Sequence, residues 1–521
     1  MKPLSPAQLA GQSMMLRFEG AVFTDDAMRA FREIHPCGVI FFADNIASRE
    51  QVHALTTELQ NEARALGMPP LLIAVDQEGG IVSRLPPDMV TVPGAMALTA
   101  QGNLADTETC ARITGQQLRE VGITVDFAPV VDVNNNTRNP VIRTRSFGDS
   151  VDTVIAGALA TIRGLTGAEV MATVKHFPGH GDTSVDSHLG LPVIDHSLSR
   201  LHEIELAPYK AAIAAGVRAV MTSHIVFPVL DEHPATLSRP ILTGLLRGDL
   251  GFDGLIFTDS LSMDAIDRRY GLEDSAIRCK AAGVDVLESN ESLDNQLIRH
   301  RALTAAIEEG TLPREAFART VERLDTVRRT YGMDAITPPL EPAPGEWRAE
   351  ATRIAASTVA VAGVDPFQPV AASERVLIVD FQRLRSSEAE DPFNRGGIIR
   401  DGVARLLPGA AVVTIEHSPT DDAIAHAVMT ARDAAVLVFL TRDATDFPYQ
   451  VEIGRRVIEE AGTAARIIHV ALRGPYDAGC FGPVSDTLLT YGDPAVTLQA
   501  LIDVLAGKAS PTAGIPVQLR D

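Results

Sequence analysis

Short apolar runs, each followed by a longer stretch of mixed polarity, recur along the first 330 positions. They fall at 14–18, 38–42, 71–76, 125–131, 170–175, 219–223, 255–259 and 284–287. Between them, stretches such as 153–165 and 206–215 have helical length with small or apolar stripes. Eight strands alternating with helices predict a parallel sheet closed into a barrel.

Near residue 334 the texture changes. Thr337-Pro338-Pro339-Leu340-Glu341-Pro342-Ala343-Pro344-Gly345 is proline-rich and reads as a semi-rigid linker. A helical stretch over 347–359 follows, then a second alternating pattern with strands at 376–381, 411–415, 435–440, 467–472 and 487–491. Five strands with intervening helices predict an open, doubly wound sheet. It contains no GxGxxG or Walker A pattern, so nothing points to nucleotide binding. The expected fold is α/β. A TIM-like (β/α)8 barrel spans residues 1–335 and a Pro-rich linker 336–347. A C-terminal doubly wound αβα sandwich spans 348–521.

Composition narrows the partners more than the fold. The 521 residues carry a formal net charge of −21, which disfavours nucleic acid and anionic membranes. The four cysteines (Cys37, Cys110, Cys279, Cys480) lie far apart with no CxxC spacing, which fits reduced thiols. The first residues lack the apolar core of a signal peptide, and no apolar run approaches the roughly 20 residues needed to span a bilayer. A cytoplasmic setting is expected.

Polar residues collect where the barrel strands end, which is where barrels of this kind place their chemistry. The third strand ends in Asp76-Gln77-Glu78-Gly79-Gly80, with Arg84 beyond. The fourth leads to Asp132, Arg143 and Arg145. The fifth ends in Lys175-His176, the sixth in Ser223-His224, the seventh in Thr258-Asp259-Ser260. After the fifth strand, 175–188 hold three His, two Asp and a Lys, broken by Pro178, Gly179 and Gly181. A His two residues after an Asp, His188 after Asp186, is an acid/base with its own orienting carboxylate. Structural readings stand beside these. Asp259 competes with helix capping, Lys175 and His176 with the pairing of buried carbonyls, Arg84 and Arg145 with plain ion pairs. His176 and His180 are four apart, as in helical zinc motifs. Pro178 and Gly179 between them oppose the helical face such a motif needs.

Lys175-His176-Phe177-Pro178-Gly179-His180-Gly181 followed by Asp186-Ser187-His188 resembles the signature of family 3 glycoside hydrolases of the β-N-acetylglucosaminidase (NagZ-like) type. Asp76-Gln77-Glu78-Gly79-Gly80, Arg145-Ser146-Phe147-Gly148 and Thr258-Asp259-Ser260-Leu261-Ser262-Met263 match further motifs of that family in order. The resemblance covers about residues 8–330. It is looser in the second half, through Ala471-Leu472-Arg473-Gly474-Pro475-Tyr476-Asp477.

The resemblance implies that Asp259 is the nucleophile, His188 the general acid/base and Asp186 its partner. Asp76 and Arg84 would hold polar groups of the substrate, with Arg145, Lys175 and His176 completing the pocket. The implied substrate is a small carbohydrate with a terminal β-linked N-acetylglucosamine, borne on a muropeptide from cell-wall turnover. No metal and no organic cofactor are implied, no nucleic acid or membrane partner, and no particular oligomeric state. Retaining cleavage needs a carboxylate on one face of an oxocarbenium-like transition state and a proton donor on the other. A histidine near its ordinary pKa of about 6.5 serves as the donor. Glycines in the loop suggest that it moves the pair onto the substrate. The sequence departs from the commonest family pattern at Ile81, where Arg is frequent, and at Arg143, where a small residue is frequent. Both bear on the aglycone side. A phosphorylase with the same residues, a non-catalytic sugar-binding protein and a β-glucosidase are the alternatives.

Overall fold

The computed structural model describes residues 3–184, 190–333, 340, 344–363, 366–383 and 396–519. The first sheet comprises β1 (Met14–Leu16), β2 (Gly38–Phe41), β3 (Leu72–Val75), β4 (Val125–Asp126), β5 (Met171–Phe177), β6 (Ala219–Thr222), β7 (Leu255–Phe257) and β8 (Leu287–Ser289). Their order is β7-β6-β5-β4-β3-β2-β1-β8, with every pairing parallel. A parallel bridge from Phe257 to Val286 brings the two edges together, so the barrel is nearly closed. Ile40, Leu72, Val125, Phe127, Met171 and Phe257 fill an inner core, while Val39, Ile73, Val174 and Ile256 pack outward with the helices. Burial on both faces is why these runs are apolar throughout.

The eighth strand lies later than the expected 284–287. Val284 and Val286 lead into it, and the strand continues through Glu288 and Ser289. Polarity hid its end, because that end faces the mouth of the barrel.

The second sheet comprises β9 (Ala360–Val361), β10 (Val376–Phe381), β11 (Ala411–Ile415), β12 (Val436–Thr441), β13 (Arg466–Ala471) and β14 (Asp486–Leu489). Its order is β11-β10-β12-β13-β14-β9, parallel except for the antiparallel β9 edge. Alternate residues face opposite layers. Ile378, Val438 and Val470 meet the helices Gly345–Ala355, Gly396–Leu406 and Ala495–Leu505. Val379, Phe381 and Phe439 meet Asp421–Ala431 and Tyr449–Ala461. This is the expected αβα sandwich.

The helix expected over 347–359 is Gly345–Ala355. Ser357 Oγ and Thr358 Oγ1 donate back to the carbonyls of Ile354 and Ala355, and the chain leaves the helix there to form β9. Most of the proline-rich segment (336–339 and 341–343) lies outside the described residues.

The two parts share apolar contacts. Val90, Val92, Leu98, Cys110 and Ile113 of the barrel side belong to the same core as Trp347, Ala351 and Ile354. A polar seam runs beside it. Arg143 pairs with Asp443 (2.8 Å) and also with Asp446, Arg383 pairs with the other oxygen of Asp443 (2.8 Å), and Asn134 Nδ2 donates to the Tyr476 hydroxyl (2.7 Å). Among the described residues, no helix is long and apolar enough to cross a membrane.

Candidate active site

At the C-terminal ends of the strands lies a cavity of ≈ 240 Å³. Its wall includes Asp76, Arg84, Arg145, Lys175, His176 and Asp259, all six of the sequence-predicted residues that the structure describes at this end. Arg17, Phe42, Glu78, His180, Glu288 and Asn290 complete much of the rest. Asp186 and His188 lie outside the described residues.

Each strand contributes by where its apolar run stops. Just past β3, Asp76 and Glu78 both accept from Lys175 Nζ of β5, at 2.7 Å each. Glu78 also takes Arg145 in a fork, Nε to Oε2 at 2.9 Å and Nη2 to Oε1 at 2.8 Å. The result is an alternating row, Asp76, Lys175, Glu78, Arg145, with Lys175 2% exposed. Such buried charges persist only when paired. Burial alone would raise the Glu78 pKa, but Arg145 and Lys175 outweigh it and hold the carboxyl at about 2. Burial works against the Lys175 ammonium too, and Asp76 and Glu78 reverse it, raising its pKa.

Asp132, beyond β4, organises the turn after β5. It accepts from His176 Nδ1 (2.8 Å) and from the backbone N–H of His180 (2.7 Å). Burial drives its carboxyl up to about 8, against the pull of the backbone N–H groups of His180 and His176. The His176 Nε2 edge lies 3.3 Å from Arg145 Nη2. With the Asp132 carboxyl group on one ring nitrogen and a guanidinium beside the other, His176 is a fixed wall of the cavity rather than a metal ligand.

The segment leading to 185–189 is anchored at its base. Asn139 Nδ2 donates to the carbonyls of His180 (2.8 Å) and Gly181 (2.9 Å), and Asp182 meets His196 Nε2 at 2.7 Å. A β-carbon on Gly181 would fall 1.8 Å from the Val133 carbonyl oxygen, and one on Gly179 (φ +152°) 2.8 Å from Glu205 Cβ. These glycines admit close backbone packing.

Asp259 follows β7 and is half-buried. Its Oδ1 accepts the N–H of Ser260 (2.8 Å), and among the described residues no cation pairs with it. His224, after β6, braces this turn: Nε2 donates to the Ser260 carbonyl (2.8 Å), and Nδ1 lies 2.8 Å from the Thr236 hydroxyl. The cavity thus offers an unneutralised carboxylate on one wall and a ladder of paired charges on the other. That arrangement suits a polar, hydroxyl-rich ligand in which positive charge develops.

Several of these residues escaped the sequence reading as site groups. Glu78 sat inside a motif, but nothing in one dimension showed that it holds two cations. Glu288 carried the one usable signal, a carboxylate at a barrel strand's end. Arg143, expected near the aglycone side, instead turns to the sandwich.

Residues 11–327 match the model of the "Glycosyl hydrolase family 3 N terminal domain". A glycoside hydrolase family 3 β-N-acetylglucosaminidase from Paenibacillus sp. str. FPU-7 has a solved structure that superposes with a TM-score of 0.95 at 34% identity, covering 99% of each chain. Beta-hexosaminidase A of Pseudoalteromonas piscicida is 29% identical across 99% of this chain and 97% of its own. Beta-hexosaminidase of Pseudomonas aeruginosa (strain LESB58) is 37% identical over 52% of this chain and 79% of its own.

Proposed function

The chain belongs to glycosyl hydrolase family 3 and is a glycoside hydrolase; from that premise we propose that it is a retaining exo-β-N-acetylglucosaminidase that removes terminal β-linked N-acetylglucosamine, with cell-wall muropeptides as its substrates and the cytoplasm as its setting. The observation that carries this reading is Asp259, a carboxylate without a cationic partner among the described residues, lining the same cavity as Asp76, Arg84, Arg145, Lys175 and His176.

In this mechanism Asp259 attacks the anomeric carbon. His188 gives its proton to the departing oxygen, so that a covalent glycosyl-enzyme and a free aglycone result. Water, deprotonated by the same histidine, then releases the sugar with its original configuration. Asp186 holds the His188 ring and favours its charged form. Asp76, Arg84 and Arg145 take the ring substituents, and Lys175 and His176 keep them in register. Pairing within the ladder keeps its carboxylates from acting as rival nucleophiles, which leaves Asp259 as the available anion.

The test is release of 4-nitrophenol from its β-N-acetylglucosaminide by the full chain, with and without phosphate. Asp259→Ala is expected to lower kcat by at least ~10³-fold. His188→Ala is expected to spare aglycones that leave without protonation. Sugar 1-phosphate formed in phosphate buffer replaces hydrolysis by phosphorolysis. Full activity in Asp259→Ala refutes the assignment.

A further inference from the structure

Strand β8 brings two polar side chains to the cavity that the catalytic scheme leaves unused. Glu288 is 3% exposed and Asn290 8% exposed, and both line the cavity wall. Asn290 Nδ2 donates to Glu288 Oε1. The Asn290 Oδ1 atom is buried and has no hydrogen-bond partner. The backbone here is fixed, since the Glu288 N–H donates to Thr258 Oγ1 (2.9 Å) and the Glu288 carbonyl accepts from Leu261 (3.2 Å). The edge is therefore pre-set and still has hydrogen-bonding capacity to give.

Native proteins leave few buried polar atoms unsatisfied, and those in a binding cavity are completed by what the cavity holds. Resting on the reading of this cavity as the sugar pocket, we propose that Glu288 and Asn290 form a recognition edge for one hydroxyl of the sugar ring, making β8 a specificity-determining strand. A hydroxyl donates and accepts through the same oxygen, so it can answer two adjacent groups of opposite character. A trans amide, with its N–H and C=O on opposite sides, cannot meet both. The edge is assigned to a ring hydroxyl and not to the acetamido substituent.

The chemistry of Glu288 supports a donor. Burial first, then the nearby charges of Asp76 and Asp259, raise its pKa well above the carboxylate range, while Lys175 is already held by Asp76 and Glu78. A neutral carboxylic acid whose Oε1 accepts from Asn290 keeps an O–H on its other oxygen for the ligand. A third anion in this space would oppose sugar binding less than it would disturb Asp259, and protonation avoids that conflict.

The experiment is a coupling measurement on the full chain. Wild type, Glu288→Gln, Glu288→Leu and Asn290→Ala are assayed with 4-nitrophenyl β-N-acetylglucosaminide and its 3-, 4- and 6-deoxy analogues. In wild type, one deoxy analogue loses about 10- to 100-fold in kcat/KM, the effect of leaving a buried partner unmatched. Glu288→Leu and Asn290→Ala lose a similar factor on the parent but no longer distinguish it from that analogue. Glu288→Gln, which keeps a neutral donor, stays within about fivefold of wild type and keeps the discrimination. If the deoxy penalties are the same in Asn290→Ala and Glu288→Leu as in wild type, the proposal is overturned. Should Glu288→Leu not fold, Asn290→Ala and Glu288→Gln carry the same comparison. If wild type cleaves no N-acetylglucosaminide, the proposed function fails by itself. Calorimetric binding of glucose, N-acetylglucosamine and the deoxy sugars to the same variants still decides the edge.

Discussion

Replacing Asp443 by Asn removes one charge from the seam between barrel and sandwich and leaves the backbone undisturbed, since φ is +54° at this position and Asn is at home in the left-handed region. Asp443 is 3% exposed at its side chain and lies between Arg143 (7%) and Arg383 (1%), 2.8 Å from each. The neutral amide would sit between two buried guanidiniums and would point an N–H at one of them. Removing one partner of a buried ion pair costs about 3–5 kcal/mol. Arg143 retains Asp446, whose side chain is 43% exposed and screened by water, so the expected loss is near the lower end, about 3 kcal/mol. The assay is urea unfolding of the full chain beside Asp446→Asn, which should cost less than about 1 kcal/mol. Catalysis supplies a second readout. Arg143 N donates to Asn134 Oδ1 (3.1 Å), and two residues later Arg145 forks onto Glu78. Loosening this loop should raise KM for the aryl glycoside about tenfold, or ~1.4 kcal/mol of binding. A loss under about 1 kcal/mol with unchanged KM would falsify the idea that the sandwich steadies the barrel's fourth loop.

Acid should find the charge ladder first. Glu78 has its folded pKa lowered to about 2, so its stabilisation is complete above an unfolded value of about 4.3 and is lost as pH falls toward 2, on the order of 3 kcal/mol in all. The urea midpoint of wild type should therefore drop more steeply from pH 5 to pH 3 than that of Glu78→Gln, about those two pH values as assay points; parallel slopes would assign the acid sensitivity elsewhere. His224→Ala should cut kcat about tenfold by releasing the Asp259–Ser260 turn, with His224→Gln partly restoring it. Unchanged kcat in both variants rejects the bracing role. Gly181→Ala should cost more than ~2 kcal/mol in thermal unfolding, because the new methyl meets the Val133 carbonyl; an unshifted transition would show that the turn yields easily.

Much of this molecule was legible in one dimension because its strands are buried on both sides. The runs at 38–42, 219–223 and 376–381 lie within a residue of strands β2, β6 and β10. The rule weakened where burial and apolarity part company. Glu288 and Ser289 belong to a strand yet face a polar mouth, so an apolar criterion stopped short of them. Thr358 and Val359 continued a helical pattern, but side-chain bonds back to the helix carbonyls ended it. At the site, residue types and strand ends were enough to gather Asp76, Lys175 and Asp259. The partners of Glu78 and the direction of Arg143 depend on which loops meet in space, and no spacing encodes that.

The core that joins barrel to sandwich also constrains how such a protein can be cut down. Val92, Leu98 and Ile113 are covered by the layer that carries Trp347, and Arg143 finds its counter-charges in the loop that follows β12. Expressing the barrel alone would bare a greasy flank and strand a cation beside it, inviting self-association at that face. A shortened enzyme built from this sequence would need polar replacements along that flank.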